Sequence, residues 1–123
     1  MNKIGTILLL SVFILSGIEK IQDFTGNVVS LSHQVSSKTG IMLPFFIYIM
    51  AIIITIMLEF IGSAVIIYSK YNDKYKKLAK YFSYGLVGFT ILATLLYHFP
   101  PFGNQYYPFT KNLSIIGGLI LLN

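Results

Sequence analysis

The segment LPFFIYIMAIIITIMLEFIGSAVIIY, residues 43 to 68, limits what this chain can fold into more than any other feature. At about 1.5 Å of rise per residue it crosses a hydrocarbon core of about 30 Å as a tilted helix. Its one charge, Glu59, costs roughly 3 kcal/mol near the bilayer centre, and the Leu, Ile, Phe and Val around it each return about 0.3–0.6 kcal/mol, so insertion wins. The rest of the chain agrees. It is 55% hydrophobic and 11% charged, with a mean hydropathy of +0.75, whereas soluble domains carry about 25% charged residues. So little charge would leave large apolar patches in water, but a lipid-facing surface needs none. The expectation is an integral, multi-pass membrane protein whose first partner is the lipid bilayer.

Three further apolar segments follow from the same reasoning. Ile4 to about Ile21 forms a first span, reaching Phe24 if Glu19 and Lys20 lie within the helix. It imitates a signal peptide, but cleavage before Ile18 would put Leu15 where a small residue is preferred, so it is read as a retained helix. Tyr81 to His98 is a third span. Leu113 to Leu122 is too short to cross alone, and becomes about 16 to 18 residues long if the helix starts near Tyr106 to Pro108, with Pro108 in the first turn. Pro100, Pro101 and Gly103 turn the chain between these two helices. Residues 1–123 therefore make one all-α domain, a four-transmembrane-helix antiparallel bundle.

The net charge is +5, all basic residues are Lys, and most crowd into SKYNDKYKKLAK, residues 69 to 80. Placing Lys70, Lys74, Lys76, Lys77 and Lys80 on the cytoplasmic side puts both termini there too. That bias is topogenic; a polybasic loop also attracts anionic lipid head groups. Arg, the better bidentate reader of phosphate, is absent, which argues against a nucleic-acid partner. Without Cys there is no disulfide, thiol exchange, iron-sulfur ligation or Cys-type zinc site. The segment Thr25 to Gly40 falls outside the cytoplasm, and Val28, Leu31 and Val35 share one face of a short interfacial helix. His33 reads as a solvated loop residue. The Asn112-Leu113-Ser114 sequon lies too close to the membrane to be modified.

Polar side chains in lipid turn toward the protein interior. Helical spacing lines up Thr6, Phe13, Ser16 or Gly17, and Lys20 on the first span. Thr55, Glu59, Gly62 and Ser63 line up on the second, Ser83, Thr90, Thr94 and His98 on the third, and Lys111, Ser114 and Gly118 on the fourth. Lys20, Thr55, Glu59, Thr94, His98, Lys111 and Asn112 are the candidate pocket-lining residues. Gly17, Gly62, Gly85, Gly88, Ser114 and Gly118 are the candidates for close helix packing, Ser114 and Gly118 having the small-xxx-small spacing. Side chains lean toward their own helix N-terminus, which tilts Lys20 and Glu59 toward each other and predicts an ion pair. Glu59 also reads as protonated helix glue, and His98 and Lys111 as snorkelling groups near the interface. No Ser-His-Asp set, HExxH, Walker loop or GxGxxG is present, and two distant histidines make no metal site.

The stretches GIEKIQDFTG (17 to 26), LP (43 to 44), LEFIGSAVII (58 to 67), ATLLYHF (93 to 99) and KNLSIIGGLILL (111 to 122) occur in an order and spacing that resembles the DoxX family of small four-helix membrane proteins, from first helix to last. The resemblance implies a bundle similar to the membrane domains of DoxX and the DoxD-type subunit of thiosulfate:quinone oxidoreductase, and a link to quinone or sulfur redox metabolism. By that likeness Gly17, Lys20, Glu59, Gly62, His98, Lys111, Asn112 and Gly118 are pocket or packing residues. The chain departs from the family in lacking an Arg near the start of the first helix, where Lys3 is the nearest basic residue. Two functions stand open: a redox accessory whose bundle holds a quinone as cofactor, with Glu59 and His98 exchanging its protons, or a non-enzymatic scaffold or assembly factor that binds another membrane protein. A small pore is a third option and ranks below these, since a polar stripe from four short helices in one chain leaves little lumen.

Overall fold

The computed structural model describes residues 3–97 and 103–121. Five α-helices follow in order: α1 (Lys3–Gln22), α2 (Phe24–Thr39), α3 (Phe45–Ser69), α4 (Lys76–Tyr97) and α5 (Tyr106–Leu121), with short 3₁₀ turns at Asp73–Tyr75 and Gly103–Gln105. His98, and the prolines at 100 and 101, lie outside the described residues. Three segments, Lys3–Gln22, Phe45–Ser69 and Asp73–Tyr97, are long and apolar enough to cross a membrane.

The helix ends have local causes. Asp23 separates α1 from α2 and accepts a hydrogen bond from the Gly26 amide at 3.3 Å, the usual N-terminal cap. A Cβ at Gly26 would collide with that carboxylate, so the cap occupies the space a side chain would need. Gly40 ends α2 in the left-handed conformation, φ 71°, with its N–H donating to Ser36 O at 2.9 Å. Pro44 then starts α3, where its missing N–H costs nothing. Asn72 accepts from the Lys74 amide at 3.0 Å, so the Lys-rich segment is less of a loop than expected. Lys76 to Lys80 already form the first turn of α4, as strong helix formers do.

The packing is inverted relative to a water-soluble domain. Thr6, Glu59, Ser63, Ser83, Thr90 and Thr94 are buried, whereas Ile4, Leu8, Leu15, Phe46, Ile54 and Leu92 are exposed. Such a surface is stable against acyl chains rather than water. The buried hydroxyls of Thr90 and Thr94 donate to the carbonyls one turn back, Leu86 O at 2.8 Å and Thr90 O at 2.6 Å, so neither is left unpaired.

Helix α3 is the hub, packing against α1, α2 and α4, while α5 lies on α4 and touches α1. Apolar burial falls into two clusters. Leu10, Phe13, Ile66, Ala79, Leu86, Ile115 and Leu119 form the larger, and Val28, Tyr48 and Ile52 form the smaller. The smaller one shows what the expected Val28, Leu31 and Val35 face of α2 meets: it packs on the first half of α3. His33 is exposed as expected, but on a helix rather than in a loop.

The packing glycines differ among themselves. A Cβ at Gly17 would meet the Phe60 ring at 2.8 Å, at Gly62 the Phe82 ring at 3.3 Å, and at Gly118 the Leu9 side chain at 3.1 Å. At Gly85 the nearest atom is Leu58 Cδ1 at an ordinary 3.5 Å, and Gly88 has open space. Ser114 is exposed and donates to Thr110 O at 3.3 Å, so only Gly118 of the small-xxx-small pair meets a neighbour. Gly17→Ala is expected to destabilise the bundle by about 1–3 kcal/mol through overpacking. Gly88→Ala should leave it unchanged or slightly firmer, and denaturant unfolding of the two purified variants in micelles checks the contrast.

Candidate functional site

Glu59 determines where the site lies. Its side chain is 0% exposed, at a depth where an unpaired carboxylate is several kcal/mol unfavourable. The ion pair expected from helix depth is present: Lys20 Nζ lies 3.0 Å from Glu59 Oε1. Lys20 is also held by Ser16, whose Oγ accepts from Nζ at 2.5 Å, and its ammonium stands 5.8 Å from the centroid of the Phe89 ring. Carboxylate, hydroxyl and ring face together replace the water that Lys20 has lost. Ser16 also stands beside the Glu59 carboxylate. Glu59 Oε2 and, one turn further along α3, Ser63 Oγ are buried without a hydrogen bond of good geometry.

The ion pair forms one wall of a cavity of about 570 Å³. Phe13, Ile52, Phe89, Leu96 and Ile115 make its apolar surface, and Lys20, Asn27, Glu59, Lys111 and Asn112 converge on it. Of the residues expected to line a pocket, Lys20, Thr55, Glu59, Lys111 and Asn112 are thus brought together. Thr55 offers little chemistry, because its hydroxyl donates to Ala51 O at 2.8 Å. Thr94 stands behind the wall and accepts a hydrogen bond from Asn112 Nδ2 at 3.0 Å, fixing that amide and tying α5 to α4. At the other end of the same helix pair Ser83 Oγ donates to Leu119 O at 3.1 Å. Interhelical bonds of this kind are worth about 0.6–2 kcal/mol in lipid. Lys111, unlike Lys20, forms no ion pair or hydrogen bond with another described residue.

Two contributors were not legible in the sequence. Asn27 lies on α2, in a stretch read as extramembrane, and its Nδ2 donates to Glu19 Oε1 at 3.2 Å and to Asp23 O at 2.8 Å. Tyr97, at the end of α4, borders the cavity as well, and its hydroxyl faces Ser30. With Lys38 Nζ donating to Leu95 O at 3.1 Å, that contact fastens α2 across the end of α4. Only the fold of α2 back over α3 brings these groups to the cavity. Among the described residues no set of three His, Cys, Asp or Glu gathers as a metal would need.

No family model matches this chain, and neither a curated protein nor a solved structure is similar enough to count as a match. The geometry therefore carries the functional argument.

A buried ion pair loses most when one partner is removed and the other stays charged. Lys20→Met is expected to destabilise the bundle by about 3–5 kcal/mol, and Glu59→Gln by less, since Lys20 keeps Ser16 and the Phe89 ring. The double variant should cost clearly less than the sum. Unfolding of all four proteins in the same micelle measures this coupling; simple additivity would remove the pair from the account of the fold.

Proposed function

We propose that the chain is a DoxX-like, four-span membrane protein whose interior cavity binds an apolar ring compound of the quinone type and presents it to a redox partner in the same membrane. The observation that carries this reading is the coexistence, inside one lipid-embedded bundle, of a cavity of about 570 Å³ and a buried Lys20–Glu59 pair at its wall. Ligand pockets for small molecules are about 300–1,000 Å³, mostly apolar, with a few convergent polar groups. Phe13, Phe89, Ile52 and Ile115 supply the apolar faces. Lys111 and the second amide proton of Asn112 are the donors suited to ring carbonyl oxygens, and Glu59 is the group suited to take or give a proton. Reduction of a quinone needs two electrons and two protons; the partner supplies the electrons, and the residues of this chain bind, orient and exchange protons.

The fourth span and the sidedness belong to the same proposal. At about 1.5 Å per residue in α5 and about 2.0 Å in the 3₁₀ turn before it, these two elements together reach about 30 Å, the thickness of the core. The ammonium of Lys3 stands 4.5 Å over the Tyr71 ring, so the start of α1 shares one end of the bundle with the Lys-rich segment. Positive residues gathered there favour that end, and with it both termini, in the cytoplasm.

Purification in mild detergent followed by mass spectrometry is expected to show a co-extracted membrane quinone. Asn112→Leu or Lys111→Met should lower its retention about tenfold, the worth of one or two lost hydrogen bonds, while Gly88→Ala should not. A quinone-free preparation carrying a stably bound membrane protein would instead establish the scaffold function.

A further inference from the structure

A second, smaller pocket lies at the opposite end of the bundle, between the end of α3 and the first turns of α4, and it plays no part in the function proposed above. Its volume is about 60 Å³, and its walls are Ser69, Lys70, Lys76, Lys80 and Ser83 with Ile66 and Ala79 beneath. Since one water takes about 30 Å³ in the liquid, this space admits a phosphate-sized group and nothing as large as a ring.

The electrostatics of the pocket come from its lysines. The end of α3 and the start of α4 present opposite poles of their helix dipoles, which largely cancel. The two serine hydroxyls have spent their protons, Ser69 on Ile66 O at 2.6 Å and Ser83 on Leu119 O at 3.1 Å, so donors must come from the ammonium groups. Lys70 is half-buried. Among the described residues neither Lys70 nor Lys80 has an acidic partner, and Lys76 has only Asp73 at 3.9 Å, both ends exposed to screening. Half-buried Lys70 and the exposed Lys76 and Lys80 therefore border one small space whose lining holds no carboxylate.

The position of the pocket selects the source of that anion. It sits where two membrane-crossing segments, Phe45–Ser69 and Asp73–Tyr97, emerge, flanked by exposed Tyr68, Tyr81 and Tyr84, the residue type that marks head-group depth. The Tyr68 and Tyr75 rings meet edge to face at 5.1 Å, which holds the connecting turn against α3. We propose that Lys70, Lys76 and Lys80 form a specific binding site for the phosphate of an anionic phospholipid head group. This is narrower than attraction of a basic loop to a charged surface, because Lys74 and Lys77 belong to the same loop and do not line the pocket.

That difference supplies the test. Lys70→Gln with Lys80→Gln, and separately Lys74→Gln with Lys77→Gln, remove the same charge from the same segment of the full-length protein. Retention of phosphatidylglycerol is then read by native mass spectrometry from micelles, with phosphatidylcholine and inorganic phosphate as competitors. At about 1 kcal/mol per lysine near an anionic surface, loss of the pocket pair should weaken phosphatidylglycerol binding about tenfold or more, with little change for the other pair. Neither competitor should displace the lipid. Equal losses from the two pairs would reduce the site to diffuse attraction, and displacement by inorganic phosphate would make it a site for the free ion; either result overturns the proposal. Should the pocket pair fail to fold, Lys76→Gln against Lys77→Gln makes the same comparison, since the Lys76 side chain is 79% exposed.

Discussion

A carboxylate in the middle of an apolar helix cannot face acyl chains, and the arrangement of this bundle follows from that prohibition. Glu59 has to point inward, which fixes the rotation of α3, and it has to meet a cation, which brings the last turn of α1 alongside at the depth of Lys20. Gly17, one turn before Lys20, allows this approach by leaving room for the Phe60 ring. The ion pair is weak evidence of stability, since two charges lost their hydration to form it. Its larger effect is on specificity, because rotating or sliding either helix would strand one charge in hydrocarbon.

The polar layer around Glu59 also explains why the bundle has a cavity. The two apolar clusters lie on either side of it, one built on Leu10, Leu86 and Leu119 and the other on Val28, Tyr48 and Ile52. Side chains at the level between them end in ammonium, carboxylate and amide groups, which do not interdigitate as methyl groups do. Helix α2 roofs that level by folding back on α3, and Lys38, Ser30 and Tyr97 fasten it to α4. The two ends of the molecule consequently differ: a mixed-charge cavity under α2, and a cation-only pocket beside the Lys-rich turn.

Legibility in the sequence varied from residue to residue for physical reasons. Lys20 and Glu59 could be paired in advance because Glu59 is the charged residue within α3, Lys20 is a cation on the polar side of α1, and depth along two antiparallel helices is a matter of counting. The helical start of α4 inside the Lys-rich segment was missed, since charge was taken as a sign of loop although Lys and Ala favour helix. Asn27 was missed because nothing in a short polar stretch says that it folds back toward the core. The four-span topology, the likeness to DoxX proteins and the ligand remain the propositions argued above.

By itself the sequence determined the solvent: runs of Ile, Leu, Phe and Val with isolated charges call for lipid, and three of the segments read from it are helices long and apolar enough to cross a membrane. The tertiary structure alone decided which helices are neighbours, which glycines meet a ring, and that α2 packs over the first half of α3. The reason is that lipid tails are as apolar as leucine. An outward Ile and an Ile buried against another helix look alike in the sequence, and only packing distinguishes them.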